Sequence, residues 1–438
     1  MPTGVAVGPR VRTGFLMLAL AALLGAQGAT VRARLAAELD AIPAIDHHTH
    51  LLEAVPFDPE QDRDIPLPMR NGRPAMVKVL QDRFGVTWDP AQGRRWDAAG
   101  REARRQLEAR LGGEAAYWAD HLRAARVEVA LVNQLEATGT NGGSLRWVPT
   151  ASPLLLPLPA PALEARSPLS QDELGRFHGL LLTWMKAEGL QGPPPTLEAY
   201  LHYLDRQLRV WQRRGAVALK FVEAYHRTLA FREVPRARAE HLWAQGRAHP
   251  LNREDTLALQ DFLARHLFRE AGRLHLPVHF HTGLGGSPRL RLREADPLEL
   301  EPLLTDPRFD ATDFVLIHAG GTDPRRAAAL AAFKPNVWLD LSALAFYLAP
   351  EELAAAVRTC LLLAPERTLF GTDAFAGFQI PVGAEVAQLT YGAVLREALT
   401  DALTGLVKEG VLTEPEALRV GRGVLRGNAR RLYRWKDD

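Results

Sequence analysis

Five side chains suited to holding a metal ion stand at the ends of apolar runs. His48 and His50 follow one such run in Ile45-Asp46-His47-His48-Thr49-His50. Side chains alternate with period two along a strand, so His48 and His50 point one way and His47 the other. His279 and His281 repeat the spacing in the run Pro277–His281, His318 closes Phe314–His318, and Asp373 closes Phe370-Gly371-Thr372-Asp373. A single histidine at a strand end is commonly a hydrogen-bonded structural group. The joint placement of His48, His50, His281, His318 and Asp373 has no packing reason. Three or four nitrogens with one carboxylate suit zinc or a similar divalent ion, with a coordination position left for water.

Lys220 adds to this set. It lies inside Ala216-Val217-Ala218-Leu219-Lys220-Phe221-Val222, where a charge is costly to bury. The chain has six lysines against 47 arginines, so a lysine kept here points to a use for its amine. An amine, unlike a guanidinium, loses its proton when desolvated and then serves as a nucleophile or takes a modification. The plain alternative is a stem that snorkels to the rim.

The elements that must position these groups are short apolar runs alternating with helical patterns. The strand candidates are Ala41–Asp46, Val127–Gln134, Trp147–Leu158, Ala216–Val222, Pro277–His281, Phe314–His318, Asn336–Leu341 and Arg367–Gly371. Helical patterns such as Asp255–Glu270, Arg325–Phe333 and Pro350–Leu363 lie between them. Near-continuous apolar strands alternating with helices point to a parallel α/β fold. Eight of them suit a (β/α)8 barrel, with every candidate ligand at its carboxyl-end rim. Residues 51–125 and 153–212 exceed ordinary connections and read as helical insertions after strands 1 and 3, at that same rim.

Composition limits the partners. The 438 residues carry 53 basic and 51 acidic groups, a net charge of +2, which offers no basic field for nucleic acid or a membrane surface. Apolar residues at 47% and charged residues at 24% are those of a folded globular chain. The lone Cys360 excludes an internal disulfide framework and a cysteine-based zinc site. The run Phe15–Ala26 after Arg10 and Arg12, with Ala26-Gln27-Gly28 beyond it, makes residues 1–29 either an export signal or an N-terminal helix. The run is shorter than the roughly 20 residues a membrane span needs. A cytoplasmic location is the expectation, with export as the alternative. Residues 30–438 form one decorated barrel, and a homo-oligomer is compatible with them.

The ordered motifs AIDHHTH, GAVALKFVEAY, LPVHFHTG, FVLIHAGG, PNVWLDLS, RTLFGTDAF and VLRGNARRLY resemble the amidohydrolase superfamily, most closely its amidohydrolase-related (amidohydrolase-2) family. The likeness runs from Ala44 to Tyr433. It implies a distorted TIM barrel with His48, His50, His281, His318 and Asp373 as metal ligands. It implies zinc, or manganese, as one or two ions, with Lys220 bridging two ions if carboxylated. Asp373 would handle the proton of the attacking water, and His318 would polarise the substrate carbonyl in a one-metal site. His279 matches no ligand position and reads as a supporting or core residue. The implied activity is hydrolysis of an amide or related C–N bond in a small molecule. A decarboxylase, a uronate-isomerase-like enzyme and a catalytically silent binding domain are the alternatives. Tyr225 and Arg227, just past strand 4 beside Glu223, are the substrate-binding candidates; an arginine there could pair with a substrate carboxylate. Trp338, Asp340 and Ser342, in and just past strand 7, are offered on similar terms, and the arginines of the C-terminal stretch read as a solvated helix face.

Overall fold

The computed structural model describes residues 30–52, 74–87, 89, 94–140, 142–161, 163, 173–285, 290–376 and 382–436. The 1–29 segment lies outside them. Among the described residues eight strands follow in chain order: β1 (Ala44–Thr49), β2 (Val127–Gln134), β3 (Leu145–Pro149), β4 (Leu219–Phe221), β5 (Val278–His281), β6 (Phe314–Ile317), β7 (Val337–Asp340) and β8 (Thr368–Leu369). Every pairing is parallel and sequential, in one ladder β1-β2-β3 and a second β4-β5-β6-β7-β8. Isolated parallel bridges cross both gaps: Trp147 to Ala216 and Thr150 to Lys220 at one, Thr49 to Ala374 at the other. Backbone bonds reinforce them, His47 N donating to Phe370 O at 2.9 Å, Asp373 N to His48 O at 2.8 Å and Ala151 N to Lys220 O at 2.7 Å. The architecture is the expected (β/α)8 barrel, distorted at two seams where no continuous ladder runs.

The barrel's inner layer is a compact apolar cluster. Ile45, Leu131, Val148, Ala218, Val315, Ile317, Trp338 and Leu369 meet Ala429 and Leu432 from the C-terminal helix Asn428–Tyr433. That helix closes the end of the barrel opposite the candidate ligands. Asn428 Nδ2 ties it to β8 by donating to Thr368 O at 2.8 Å. Arg430, expected on a solvated face, is instead mostly covered and pairs with Glu128 of β2 at 3.0 Å. The larger core lies between the strands and the outer helices, among them Arg253–Arg273, Pro350–Leu363 and Gly383–Lys408.

Two strands depart from the reading of the chain. β1 begins at Ala44, after Pro43, and continues through Thr49. Its polar residues Asp46, His47 and Thr49 are fully buried because the barrel walls them on both faces. It also carries an extra residue: Asp46 pairs with Ala130 and Thr49 with Val132, three steps against two. Such a bulge re-aims side chains, so His47 does not point away from the barrel interior as strict alternation requires. β3 ends at Pro149, and Ser152–Leu155 coils into a buried 3-10 turn led by Pro153, where a proline cannot feed a ladder.

The segment 51–125 holds helices Pro74–Phe84, Arg94–Leu111 and Glu114–Ala124, the last leading into β2. The segment 153–212 holds Glu173–Ala187 and most of Leu197–Arg213, the latter leading into β4. Among the described residues no helix is long and apolar enough to cross a membrane.

Candidate metal centre

Strand ends converge on one point at the rim. His48 Nε2 lies 3.2 Å from Asp373 Oδ1, and His50 Nε2 lies 3.5 Å from the same oxygen. His318 Nε2 stands 4.0 Å from Asp373 Oδ2 and 3.2 Å from His281 Nδ1. One ligand atom each from His48, His318 and Asp373 lies within 4.8 Å of the others, a spread that one small cation can span. His50 and His281 flank this trio. Lys220 Nζ reaches it as well, 3.2 Å from His48 Nε2.

The turns that aim these groups are strained or interlocked. His318, Ala319 and Asp373 have φ of 68°, 46° and 54°, left-handed values that cost non-glycine residues about 1–3 kcal/mol each. Strain of this kind persists only where the surroundings over-determine it, and here it turns two candidate ligands inward. The loops after β5 and β6 lock through Thr282, whose hydroxyl donates to Ile317 O at 2.7 Å and accepts from Gly320 N at 3.0 Å. A Cβ on Gly283 would overlap the Gly320 carbonyl, so the backbones meet as closely as they do only because position 283 is glycine. On the other side, Asp46 accepts from Thr372 N at 2.8 Å, Thr372 Oγ1 at 2.7 Å and Gln388 Nε2 at 2.8 Å, which pins the turn before Asp373 to β1.

Electrostatics suit cation binding. Burial holds the His48, His281 and His318 imidazoles well below their usual pKa, and neighbouring positive charges reinforce it. They are therefore neutral, the form that ligates a metal. Burial also lowers the Lys220 amine to about 8, against the opposing pull of Asp373 and Asp340. At that value about a tenth of the amine is unprotonated at pH 7, the form that carboxylation requires. His281 Nε2 faces Leu284 O at 3.1 Å, which leaves Nδ1 turned to His318. Neutral nitrogens, one carboxylate and a modifiable amine around one point fit a divalent ion.

The remaining candidates divide. Tyr225 is at the rim, its ring 4.5 Å from that of His281 between centroids. Arg227 is not: it is 1% exposed, and its guanidinium pairs with Asp261 and donates to Leu257 O at 3.3 Å, both on the Arg253–Arg273 helix. Glu223 is buried, and among the described residues its Oε2 has no hydrogen-bond partner; burial raises its carboxyl to about 7. His279 lies beneath the cluster, Nε2 at 2.8 Å from Tyr433 Oη. The polar residues that brace the site, Asp46, His47 and Tyr433, escaped the reading of the chain as functional groups. The available signal was an acid and an imidazole inside an otherwise apolar strand.

The amidohydrolase family model (Amidohydro_2) matches residues 198–435, a span that includes Lys220, His281, His318 and Asp373 but not His48 or His50. Over 163 residues the chain is 30% identical to Protein fluG of Emericella nidulans, a stretch amounting to 37% of this chain and 18% of that protein. Two solved structures share the fold. A candidate metal-dependent hydrolase of Lactobacillus casei superposes with a TM-score of 0.62 at 17% identity, covering 91% of this chain and 97% of that one. The uronate isomerase of Thermotoga maritima gives 0.58 at 15% identity, covering 92% and 97%. At those identities the likeness shows the TIM-barrel fold alone. With more than half of its length matched by the family model, this chain belongs to the amidohydrolase family.

Proposed function

We propose that the protein is a metal-dependent hydrolase that cleaves an amide or related C–N bond of a small molecule. The observation that carries this reading is the joint placement of His48, His318 and Asp373, with the two imidazoles buried and the carboxylate side chain 15% exposed. His48, His50, His281, His318 and Asp373 would hold zinc, or manganese, as one or two ions. A divalent ion bound there supplies Lewis-acid chemistry, making water a nucleophile near neutral pH and polarising a carbonyl. Asp373 takes the proton of the attacking water and returns it to the departing nitrogen. His318, whose Nε2 lies 4.0 Å from Asp373 Oδ2 while His50 Nε2 lies 3.5 Å from Oδ1, would orient the carbonyl oxygen. Tyr225, packed on His281, borders the space a substrate would enter.

The relatedness in fold to uronate isomerases supports a rival within the same site, in which the substrate's own hydroxyl is activated. The deciding experiment measures bound metal and products together, over a panel of amides, N-acyl amino acids, lactones, uronates and aromatic carboxylates. Amine release that depends on the metal and falls by orders of magnitude in a metal-retaining Asp373→Asn variant is expected. Ketose formation from a uronate, or carbon dioxide release without any amine, overturns the hydrolase reading.

A further inference from the structure

Beneath the ligand cluster lies a fully buried polar layer that the hydrolytic reading leaves without a role. It comprises His47, His279, Asp340 and Ser342, joined by Tyr433 from the helix that seals the barrel. Asp340 is its centre. Its Oδ2 stands 3.0 Å from His47 Nδ1. Its Oδ1 accepts from Ser342 N at 3.0 Å, from His318 N at 3.5 Å and from the Ser342 hydroxyl.

Hydrogen positions follow from which atoms can only accept. A carboxylate donates nothing, so His47 Nδ1 carries the hydrogen that faces Asp340, and in the neutral ring Nε2 is an acceptor. Tyr433 Oη lies 2.7 Å from that nitrogen and 2.8 Å from His279 Nε2. The hydroxyl therefore donates to His47 and accepts from His279 Nε2–H. The opposite polarity would strand a buried N–H at His279 Nδ1, which has no partner among the described residues. An orphaned donor is the rarer and costlier defect.

The second arm runs to the ligand. The Ser342 hydroxyl gives its hydrogen to Asp340, so its oxygen meets His318 Nδ1, at 3.0 Å, as an acceptor. The Ser342 carbonyl, 3.2 Å from the same nitrogen, can only accept. His318 Nδ1 must then carry the hydrogen, and the lone pair sits on Nε2, facing His281 and Asp373. The Asp340 bond to His318 N also braces the left-handed backbone of that residue.

We propose that Asp340, relayed by Ser342 and anchored through His47 by Tyr433, holds His318 in the Nδ1–H tautomer, with Nε2 free to take a cation. These are positioning residues for the centre described above, and their role rests on the metal-binding reading of it. Outer groups of this kind typically change metal affinity about 10- to 100-fold when removed.

The test uses the full chain, metal-free and labelled with [15N]histidine, alongside zinc titration against a chromophoric chelator. The His318 resonances are those missing from a His318→Gln sample. Wild-type His318 is expected as the Nδ1–H form alone, with the Nε2–H form gaining population in Asp340→Asn and in Ser342→Ala, where the backbone carbonyl of residue 342 is the one acceptor left facing Nδ1. Zinc affinity should fall by about 10-fold or more in both, and by less in Tyr433→Phe. Circular dichroism checks folding, and if Asp340→Asn fails to fold, Ser342→Ala carries the test alone. A wild-type Nε2–H tautomer overturns the proposal, as do variants that lose stability while tautomer and zinc affinity stay put. Neither readout uses a substrate, so a failed hydrolysis assay leaves them intact. A wild-type protein that binds no zinc defeats the metal reading, while the tautomer still decides the network.

Discussion

Replacing Arg227 with methionine separates a structural arginine from a substrate-binding one. The residue is 1% exposed, so its loss leaves Asp261 inside the protein with the weaker influence of Arg232 as its remaining positive neighbour. Burial already raises the Asp261 carboxyl while Arg227 opposes it. Without the guanidinium the carboxylate takes up a proton, and the cost of that proton caps the electrostatic loss. Starting from an ordinary value of 3.8, holding the acid neutral costs about 4 kcal/mol at pH 7 and about 2 kcal/mol at pH 5. The carbonyls of Thr228, Leu257 and Ala230, which Arg227 now serves at 3.0, 3.3 and 3.3 Å, add up to about 1 kcal/mol each. The sign follows from linkage: the variant's folded-state pKa lies above the unfolded one, so stability is lost as pH rises between them. Urea unfolding of the metal-free protein at pH 7 and pH 5 measures this, alongside kcat and KM. The expected loss is up to about 7 kcal/mol at pH 7, smaller by up to about 3 kcal/mol at pH 5, with most of it recovered in Arg227→Met/Asp261→Leu. Stability unchanged within about 1 kcal/mol, together with a tenfold rise in KM, would make Arg227 a substrate-binding residue instead.

Three further outcomes are expected. Glu223, whose carboxyl burial raises from 4.5 to about 7, binds its proton more tightly folded than unfolded, so wild-type stability falls as pH rises through that window. Glu223→Gln removes this dependence, and its unfolding free energy relative to wild type should rise by up to about 3 kcal/mol from pH 4.5 to pH 7. Lys220→Ala reports on the ion count: a carboxylated bridge predicts less metal per chain by elemental analysis, and equal content in both proteins excludes the bridge. Gly272→Ala sets a methyl against the Thr312 hydroxyl and 3.1 Å from Ala311 O, and should lower stability by about 1–3 kcal/mol in the same urea assay.

The candidate ligands stand out in the sequence because parallel strands are apolar throughout, so a histidine at the end of Val278–His281 or beyond Phe314–Ile317 contrasts with its run. Helices Arg325–Phe333 and Pro350–Leu363 were legible to the residue, from their apolar spacing and, in the second, from Pro350 at its first position. His47 was misdirected because period-two alternation has no knowledge of a bulge, which exists only in the pairing with β2. Trp147–Leu158 read as one strand because Leu154 and Leu155 are as buried as strand residues, though they sit in a 3-10 turn. Arg227 looked available because its partner Asp261 lies 34 residues on, across a helix whose facing side cannot be known from composition. Tyr433 carried no signal at all, since its partner histidine is at the other end of the chain.

That last contact sets the timing of assembly during synthesis. His47 and Tyr433 are separated by 386 residues, and at about 5–20 residues per second the ribosome needs some tens of seconds to pass from one to the other. For most of that interval the first histidines are made but unsupported, since β8 and Asp373 come late in the chain and the closing helix comes last. A nascent chain can therefore offer isolated imidazoles to stray cations but not the finished pocket. Completion of the candidate pocket belongs to the last moments of translation or after it.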